Sequence, residues 1–235
     1  FIPGILWAQQ PTADTLQNVI VSASRQSISI QKTPFTSFRI NTSEKASRNT
    51  PDLLLNSPGV FLQKTNHGGG SAFVRGLTGN QTLLVVDGIR FNNSTFRYGP
   101  NQYLNTIDLF SLSHIEILKG SGSVQYGSDA LTGVLHFFTE KPEFSASSTW
   151  HNTLGTRWAG QGMELSWQAK TAYSSEKTSF IVSGSSRQFG DITRGNGLGF
   201  QSPTGYDEWS YLAKIRQQVN SHWTLEGLLQ STTQS

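Results

Sequence analysis

The chain has 235 residues, of which 35% are hydrophobic and only 14% charged, and it is rich in glycine (23) and phenylalanine (14). Its formal charge of +3 comes from scattered cations, which excludes the clustered basic stripe of a nucleic-acid binder. It has no cysteine, which excludes disulfides, thiolate metal sites and thiol nucleophiles. Low charge with many glycines and aromatics points to β-structure with frequent turns. No run approaches the ~18 apolar residues of a membrane helix, so any passage through a bilayer must use a closed barrel.

Residues 1–8, ending in Leu6-Trp7-Ala8, read as the tail of a signal peptide: apolar, broken by Pro3-Gly4, and followed by a polar stretch. Residues 9–26 form a polar tail with one strand-forming run, Val19-Ile20-Val21. Residues 27–142 read as an α+β domain. Thr50-Pro51-Asp52 opens a helix, with proline in its first turn, and Ser57-Pro58-Gly59 closes it. Short strands are expected over 60–63, 72–75, 83–86, 115–118 and 134–139, separated by glycine-rich turns, with helical turns at 109–112 and 121–126.

From 143 onward the pattern alternates. In 163–173 the odd positions are Met163, Leu165, Trp167, Ala169, Thr171 and Tyr173, against Glu164, Ser166, Gln168 and Lys170. In 208–217 the set Trp209, Tyr211, Ala213 and Ile215 opposes Glu208, Ser210, Lys214 and Arg216, with Leu212 out of place. Trp223, Leu225 and Leu229 continue the pattern, and Trp150, Leu154 and Trp158 precede it. The segment 178–188 is least regular, because Ile181 falls on the polar side. A period of two makes one apolar and one polar face, which a soluble sandwich shares with a membrane barrel. Strands of about ten residues with aromatics near their ends favour the barrel. The links 174–177 and 219–222 are tight and 190–206 is long, the asymmetry of periplasmic turns and external loops, although 159–162 is short for an external loop.

Within this frame the residues resemble the TonB-dependent receptor family. Leu53-Leu54-Leu55-Asn56-Ser57-Pro58-Gly59-Val60 is similar to its short helix and Pro-Gly-Val turn. Phe73-Val74-Arg75-Gly76 and Leu83-Leu84-Val85-Val86-Asp87-Gly88-Ile89-Arg90 resemble two of its plug strands. Ile115-Glu116-Ile117-Leu118-Lys119-Gly120, then Val124-Gln125-Tyr126-Gly127 and Ala130-Leu131-Thr132-Gly133-Val134-Leu135, follow in the family's order. Upstream, Gln17, Asn18, Val19, Ile20, Val21, Ser22 and Ala23 resemble the TonB box, departing from its commonest form by Gln17-Asn18 and by Ser22 in place of threonine. A short β-prone segment in a polar tail suits addition as a strand to a partner's sheet edge.

The resemblance implies an α+β plug domain over 27–142, then the first antiparallel strands of a transmembrane β-barrel over 143–235. About five strands fit there, against about 22 in the family's barrels, so a truncated barrel is expected. The box lies close to the expected mature N-terminus, which leaves no room for a preceding signalling domain. The implied protein is a bacterial outer-membrane receptor, monomeric at full length. It imports a scarce metal chelate (a ferric siderophore or haem, or cobalamin) and draws energy through the periplasmic C-terminal domain of TonB.

Candidate substrate contacts lie on two polar plug apices: His67 in 65–71, and Asn92, Asn93, Phe96, Arg97 and Tyr98 in 92–101. An arginine between two aromatics suits an anionic chelate by charge and stacking. Arg75, Glu116 and Lys119, charged residues within apolar strands, are either solvent-facing or plug–barrel charge contacts. Asp87-Gly88 reads as a turn. Gly120, Gly122 and Gly127 lack the spacing of a nucleotide loop, and the five histidines are dispersed. No resident cofactor, metal site or enzymatic chemistry is expected. The competing readings are a passive porin or adhesin barrel and a soluble β-rich lectin or enzyme.

Overall fold

The computed structural model describes residues 20–21, 28–29, 36–42, 47–64, 69–92, 99–100, 102–160 and 162–235. Strand β1 (Ile20–Val21) pairs antiparallel with β2 (Ile28–Ser29). There follow β3 (Thr36–Asn41), β4 (Val60–Lys64), β5 (Gly70–Val74), β6 (Thr82–Val86), β7 (Ile89–Arg90), β8 (Leu112–Lys119) and β9 (Gly133–Thr139). Five of them form one sheet in the order β3-β8-β9-β6-β7, in which only β6 and β9 run parallel. Strands β4 and β5 make a separate hairpin.

The sheet is covered on both faces, which is why its central strands read as nearly unbroken apolar runs. Alternation along β6 sends Leu83 and Val85 to a small cluster with Leu118, Ala130 and Val134. Leu84 and Val86 go to the main core with Leu53, Leu54, Leu104, Ile107, Ile115, Ile117, Leu135 and Phe137. The helix expected after Pro51 is a single 3-10 turn, Pro51–Leu54. So short a segment cannot repay helix nucleation, and Asn56 (φ 62) and Gly59 (φ 69) turn the chain away at once. The strand expected over 72–75 stops at Val74, because Arg75 enters the left-handed region at φ 53. The turn expected at 109–112 is a 3-10 turn, Leu109–Ser111, and Leu112 already opens β8. Helix α1 (Ser123–Tyr126) is one turn long.

The second sheet contains β10 (Thr149–Ala159), β11 (Glu164–Ser174) and β12 (Thr178–Phe189), then β15 (Tyr206–Gln218) and β16 (Thr224–Gln234). The long link between β12 and β15 carries a small hairpin of β13 (Ile192–Thr193) and β14 (Phe200–Gln201). The order is β10-β11-β12-β15-β16, each strand antiparallel to its neighbours. Strands of 11 to 13 residues are long enough to cross a bilayer at a tilt.

This sheet is inside out relative to a soluble protein. Leu154 and Trp158 are 78% and 74% exposed, and Trp150, Trp167, Trp209, Tyr211 and Leu225 stand bare on the same face. The opposite face, turned to the first domain, buries Glu164, Ser166, Arg187, Glu208 and Ser210. A soluble sandwich buries its apolar face, so the burial pattern selects the barrel wall. Trp150, Tyr173 and Phe180 contact one another, ring centroids 4.9 to 5.6 Å apart, at the tight-turn end, as an interfacial aromatic girdle requires. Leu212 and Ile181, irregular in the sequence pattern, point inward and are 2% and 5% exposed. The period assigns their face correctly; the plug that covers that face makes an apolar residue welcome there.

Candidate functional site: the plug–wall interface

Charged residues on the wall strands fall almost entirely on the inner face, where they meet the plug in two groups. The first centres on Arg187, 1% exposed, whose Nε donates to Glu208 Oε1 at 2.9 Å while its Nη2 makes a second, short bond to the same oxygen. Arg187 Nη1 reaches across to the plug and donates to the Arg48 carbonyl at 3.0 Å. Its neighbour Arg157 donates to the carbonyls of Ser47 (2.6 Å) and Arg48 (3.3 Å) and lies 3.5 Å from Glu164. Both guanidiniums lie near the Phe110 ring, 5.3 and 5.9 Å from its centroid. Gln234 completes the group by donating to Glu208 (2.8 Å) and to the Asn105 carbonyl (3.4 Å).

Asp108 approaches this group from the plug. Its side chain accepts from Phe110 N at 3.3 Å, capping the 3-10 turn, and from Ser185 Oγ of the wall at 3.2 Å. Burial pushes its carboxyl above the usual carboxylate range, while Arg187 pulls the other way. A plug held by such bonds stays in register yet can exchange them with water, which an apolar interface cannot do.

The second group lies nearer the tight turns. Lys170 bonds both oxygens of Glu140 at 2.7 Å, and Arg216 donates to the Pro142 carbonyl at 3.0 Å. Lys214 lies 3.0 Å from Asp87, in a turn where Asp87 (φ 47) and Gly88 (φ 85) are both left-handed. Asp87 also accepts from Thr139 N and Oγ1, at 3.0 and 2.7 Å. Gly88 N donates to His136 Nε2 at 2.9 Å, so the ring serves as an acceptor and its proton sits on Nδ1.

Burial holds the His136 pKa down to about 4, against the charges of Glu116 and Asp87, which would raise it. The unfolded ring takes up its proton near its ordinary value of 6.5, well before the folded one does. Stability from this site is therefore complete above pH 6.5 and is lost as the pH falls toward 4, by on the order of 3 kcal/mol. The urea midpoint of the intact protein is expected to fall across this window. In His136→Gln, whose side-chain carbonyl still accepts from Gly88, the fall should be much smaller; an unchanged slope would assign the acid sensitivity to another group.

A plug followed by the first antiparallel strands of a barrel wall is the arrangement that the sequence resemblance implied. Residues 23–134 match the family model described as TonB-dependent Receptor Plug Domain. This stretch is a TonB-dependent receptor plug domain. A vitamin B12 transporter, BtuB, of Vibrio vulnificus (strain CMCP6) is 29% identical over 188 residues, covering 77% of this chain and 29% of its own length. The solved structure of the copper transporter OprC superposes with a TM-score of 0.72 at 17% identity, covering 86% of this chain and 31% of its own. That of the siderophore receptor PirA from Acinetobacter baumannii gives 0.66 at 20%, covering 92% and 33%. At such identities the structures establish the fold, and this chain spans about 29% of the length of the curated relatives. TonB-dependent receptors are outer-membrane proteins, and the bare apolar face of the wall is the surface that lipid contact requires.

In this chain the residues singled out from sequence lie in different places. Of the box, only the backbone of Ile20 and Val21 is described, as β1. Gln17, Asn18, Val19, Ser22 and Ala23 lie outside the described residues, as do His67, Asn93, Phe96, Arg97, Tyr98 and the signal-peptide stretch 1–8. Asn92 is buried at the base of its loop, where its amide accepts from Leu84 N at 2.9 Å and donates to the Thr82 carbonyl at 3.0 Å. Arg75 reaches the Lys119 carbonyl at 3.5 Å, and Lys119 donates to the Pro58 carbonyl at 3.1 Å. Glu116 is buried with His114 Nε2 3.5 Å away. Sequence reasoning did not single out Arg157, Arg187, Glu208, Lys170 or Lys214. Their signal was the confinement of charge to one face of alternating strands.

Proposed function

We propose that this chain supplies the plug (27–142) and the first wall strands (143–235) of a receptor that imports a metal chelate, energised by TonB. The substrate classes favoured are ferric siderophores, haem and cobalamin, in keeping with relatives named as a vitamin B12 transporter and a siderophore receptor. The observation that carries the reading is the plug–wall interface. Its ion pairs and carbonyl contacts hold the plug in the lumen through bonds that a pull can exchange for water. The periplasmic C-terminal domain of TonB would grip the box at 17–23 by strand addition and supply that pull. The turns 175–177 and 219–223 then face the periplasm and the β12–β15 link faces outward. Arg75 and Lys119, at the plug surface, extend the same kind of polar contact to further wall. The receptor works without a resident cofactor or covalent chemistry.

On the outer side, His67, Asn93, Phe96, Arg97 and Tyr98 would meet the substrate, with Asn92 anchoring their loop to β6. Aromatic faces give contact area with few rotors to freeze, and arginine suits a carboxylate. The test is equilibrium binding of haem, a ferric siderophore and cyanocobalamin to the purified intact receptor, then to Arg97→Ala and Tyr98→Ala. One compound should bind, and each variant should lose about 1 kcal/mol, roughly fivefold in affinity. If none of the three binds, the assigned substrate classes are wrong. If one binds and both variants retain full affinity, the substrate is held elsewhere than on this apex.

A further inference from the structure

The outward face of the wall is bare, but it is not uniform. Across β10, β11 and β12 it carries a groove of about 560 Å³. Its outward-facing side chains fall in two rows that follow the register of the three strands. One row is Leu154, Ala169 and Gly184; the other is Asn152, Thr171 and Val182. The second row adjoins the aromatic row of Trp150, Tyr173 and Phe180, two residues or about 7 Å away along each strand. The groove therefore begins at the interfacial girdle and runs into the apolar band, continuous with the lipid-facing surface.

Gly184 makes the groove deep. It sits in mid-strand, in regular register with Ala169 on one side and Tyr211 on the other. Its φ is not left-handed, and an added Cβ would meet nothing nearer than the Ser210 carbonyl at 3.8 Å. Neither the backbone nor packing within the chain calls for glycine here, although glycine weakens a strand interior. The remaining reason for a strand glycine is the close approach of another molecule.

The polar pair in the second row is an independent indication of what approaches. Thr171 Oγ1 donates to Asn152 Oδ1 at 2.5 Å. With that oxygen engaged, Asn152 Nδ2 still has its hydrogens to place, and among the described residues it has no acceptor. At the edge of a hydrocarbon layer an unmet amide donor is costly. A fitting occupant brings an acceptor one row inside the girdle and an apolar chain beyond it. The wall of a second copy fits poorly, because its backbone carbonyls are already spent in its own sheet. A glycerophospholipid fits well: its ester carbonyls lie just beneath the headgroup, and an acyl chain runs on from them.

We propose that this groove binds one glycerophospholipid of the periplasmic leaflet, its acyl chain over Ala169 and Gly184 and an ester carbonyl accepting from Asn152 Nδ2. The leaflet follows from the orientation proposed above, with the tight turns in the periplasm. The test is native mass spectrometry of the intact protein in mild detergent, titrated with equal amounts of a diester phosphatidylethanolamine and its diether analogue, which lacks the carbonyls. The parent should hold one lipid and favour the diester by at least about fivefold. Gly184→Leu, which fills the groove, should lose that lipid. Asn152→Leu should bind diester and diether equally. Equal binding of the two lipids by the parent, undiminished binding in Gly184→Leu, or a diester preference that survives in Asn152→Leu overturns the site. So does a lipopolysaccharide, or a second copy of the protein, in place of the phospholipid. Heat-modifiable migration shows whether each variant is folded; if Gly184→Leu is not, the diester preference of Asn152→Leu decides alone.

Discussion

Val21→Pro in the intact receptor should abolish energised uptake, down to the level of cells lacking TonB, while binding of the substrate at the surface should be unchanged. The expectation follows from where β1 sits. It is a two-residue strand in a polar tail, paired antiparallel with β2, with Val21 opposite Ile28. A partner that adds to this segment needs its backbone donors and an extended φ. Proline removes one donor and fixes φ near −65°, so it breaks the ladder whichever edge is used. Val21→Ala keeps the donor and should keep most of the uptake, which separates a backbone effect from loss of the side chain. Val19→Pro, outside the described residues, carries the same expectation. Binding should survive because the plug strand downstream, β3, is held separately by its register with β8. Uptake that persisted in both proline variants would move the coupling segment out of 17–23.

The architecture was legible in the residues because its two halves obey different periods. The strands of the plug core are buried on both faces and read as apolar runs, as 83–86 shows. The wall strands are apolar on one face only and alternate. Where the reading slipped, it was at short-range competition. Three residues after Pro51 favour helix locally, yet Asn56 and Gly59 end it after one 3-10 turn. Leu212 and Ile181 looked misplaced because period reports which face a residue takes and is silent about what lies against that face. The interface was harder to see for a stronger reason. Arg187 meets a carbonyl 139 positions away in sequence, and a backbone carbonyl carries no residue signature. Motif reading favoured Arg75 and Lys119, whose contacts here are carbonyls of the plug itself. Charge confined to the inner face by Arg157, Arg187, Glu208 and Lys214 was the available clue, and it becomes informative only once that face is known to be covered.

Arg187→Leu should be the most damaging single change in the wall. The guanidinium satisfies Glu208 through two nitrogens and the Arg48 carbonyl through a third, all in a site where Arg187 and Glu208 are each 1% exposed. Removing it leaves a buried carboxylate without its cation beside Asp108, whose own carboxyl burial already disfavours as an anion. Breaking a buried pair in this way costs about 3–5 kcal/mol, and the urea midpoint of the intact receptor should drop accordingly. Arg187→Lys should rescue only part, since one ammonium cannot reproduce a fork aimed at both Glu208 and the plug carbonyl. The double variant Arg187→Leu with Glu208→Leu removes both desolvated charges and should recover most of the stability. What it should not recover is the full hold on the plug: the Arg48 carbonyl keeps only the longer bond from Arg157, so hydrogen exchange at the amides around 47–50 should stay faster than in the parent. A double variant as unstable as Arg187→Leu alone would mean that the loss came from packing against Phe110 and Phe189. Full recovery of protection at 47–50 would show that the bond to Arg48 holds nothing, and that the plug is kept in place by the pairs at Glu140 and Asp87.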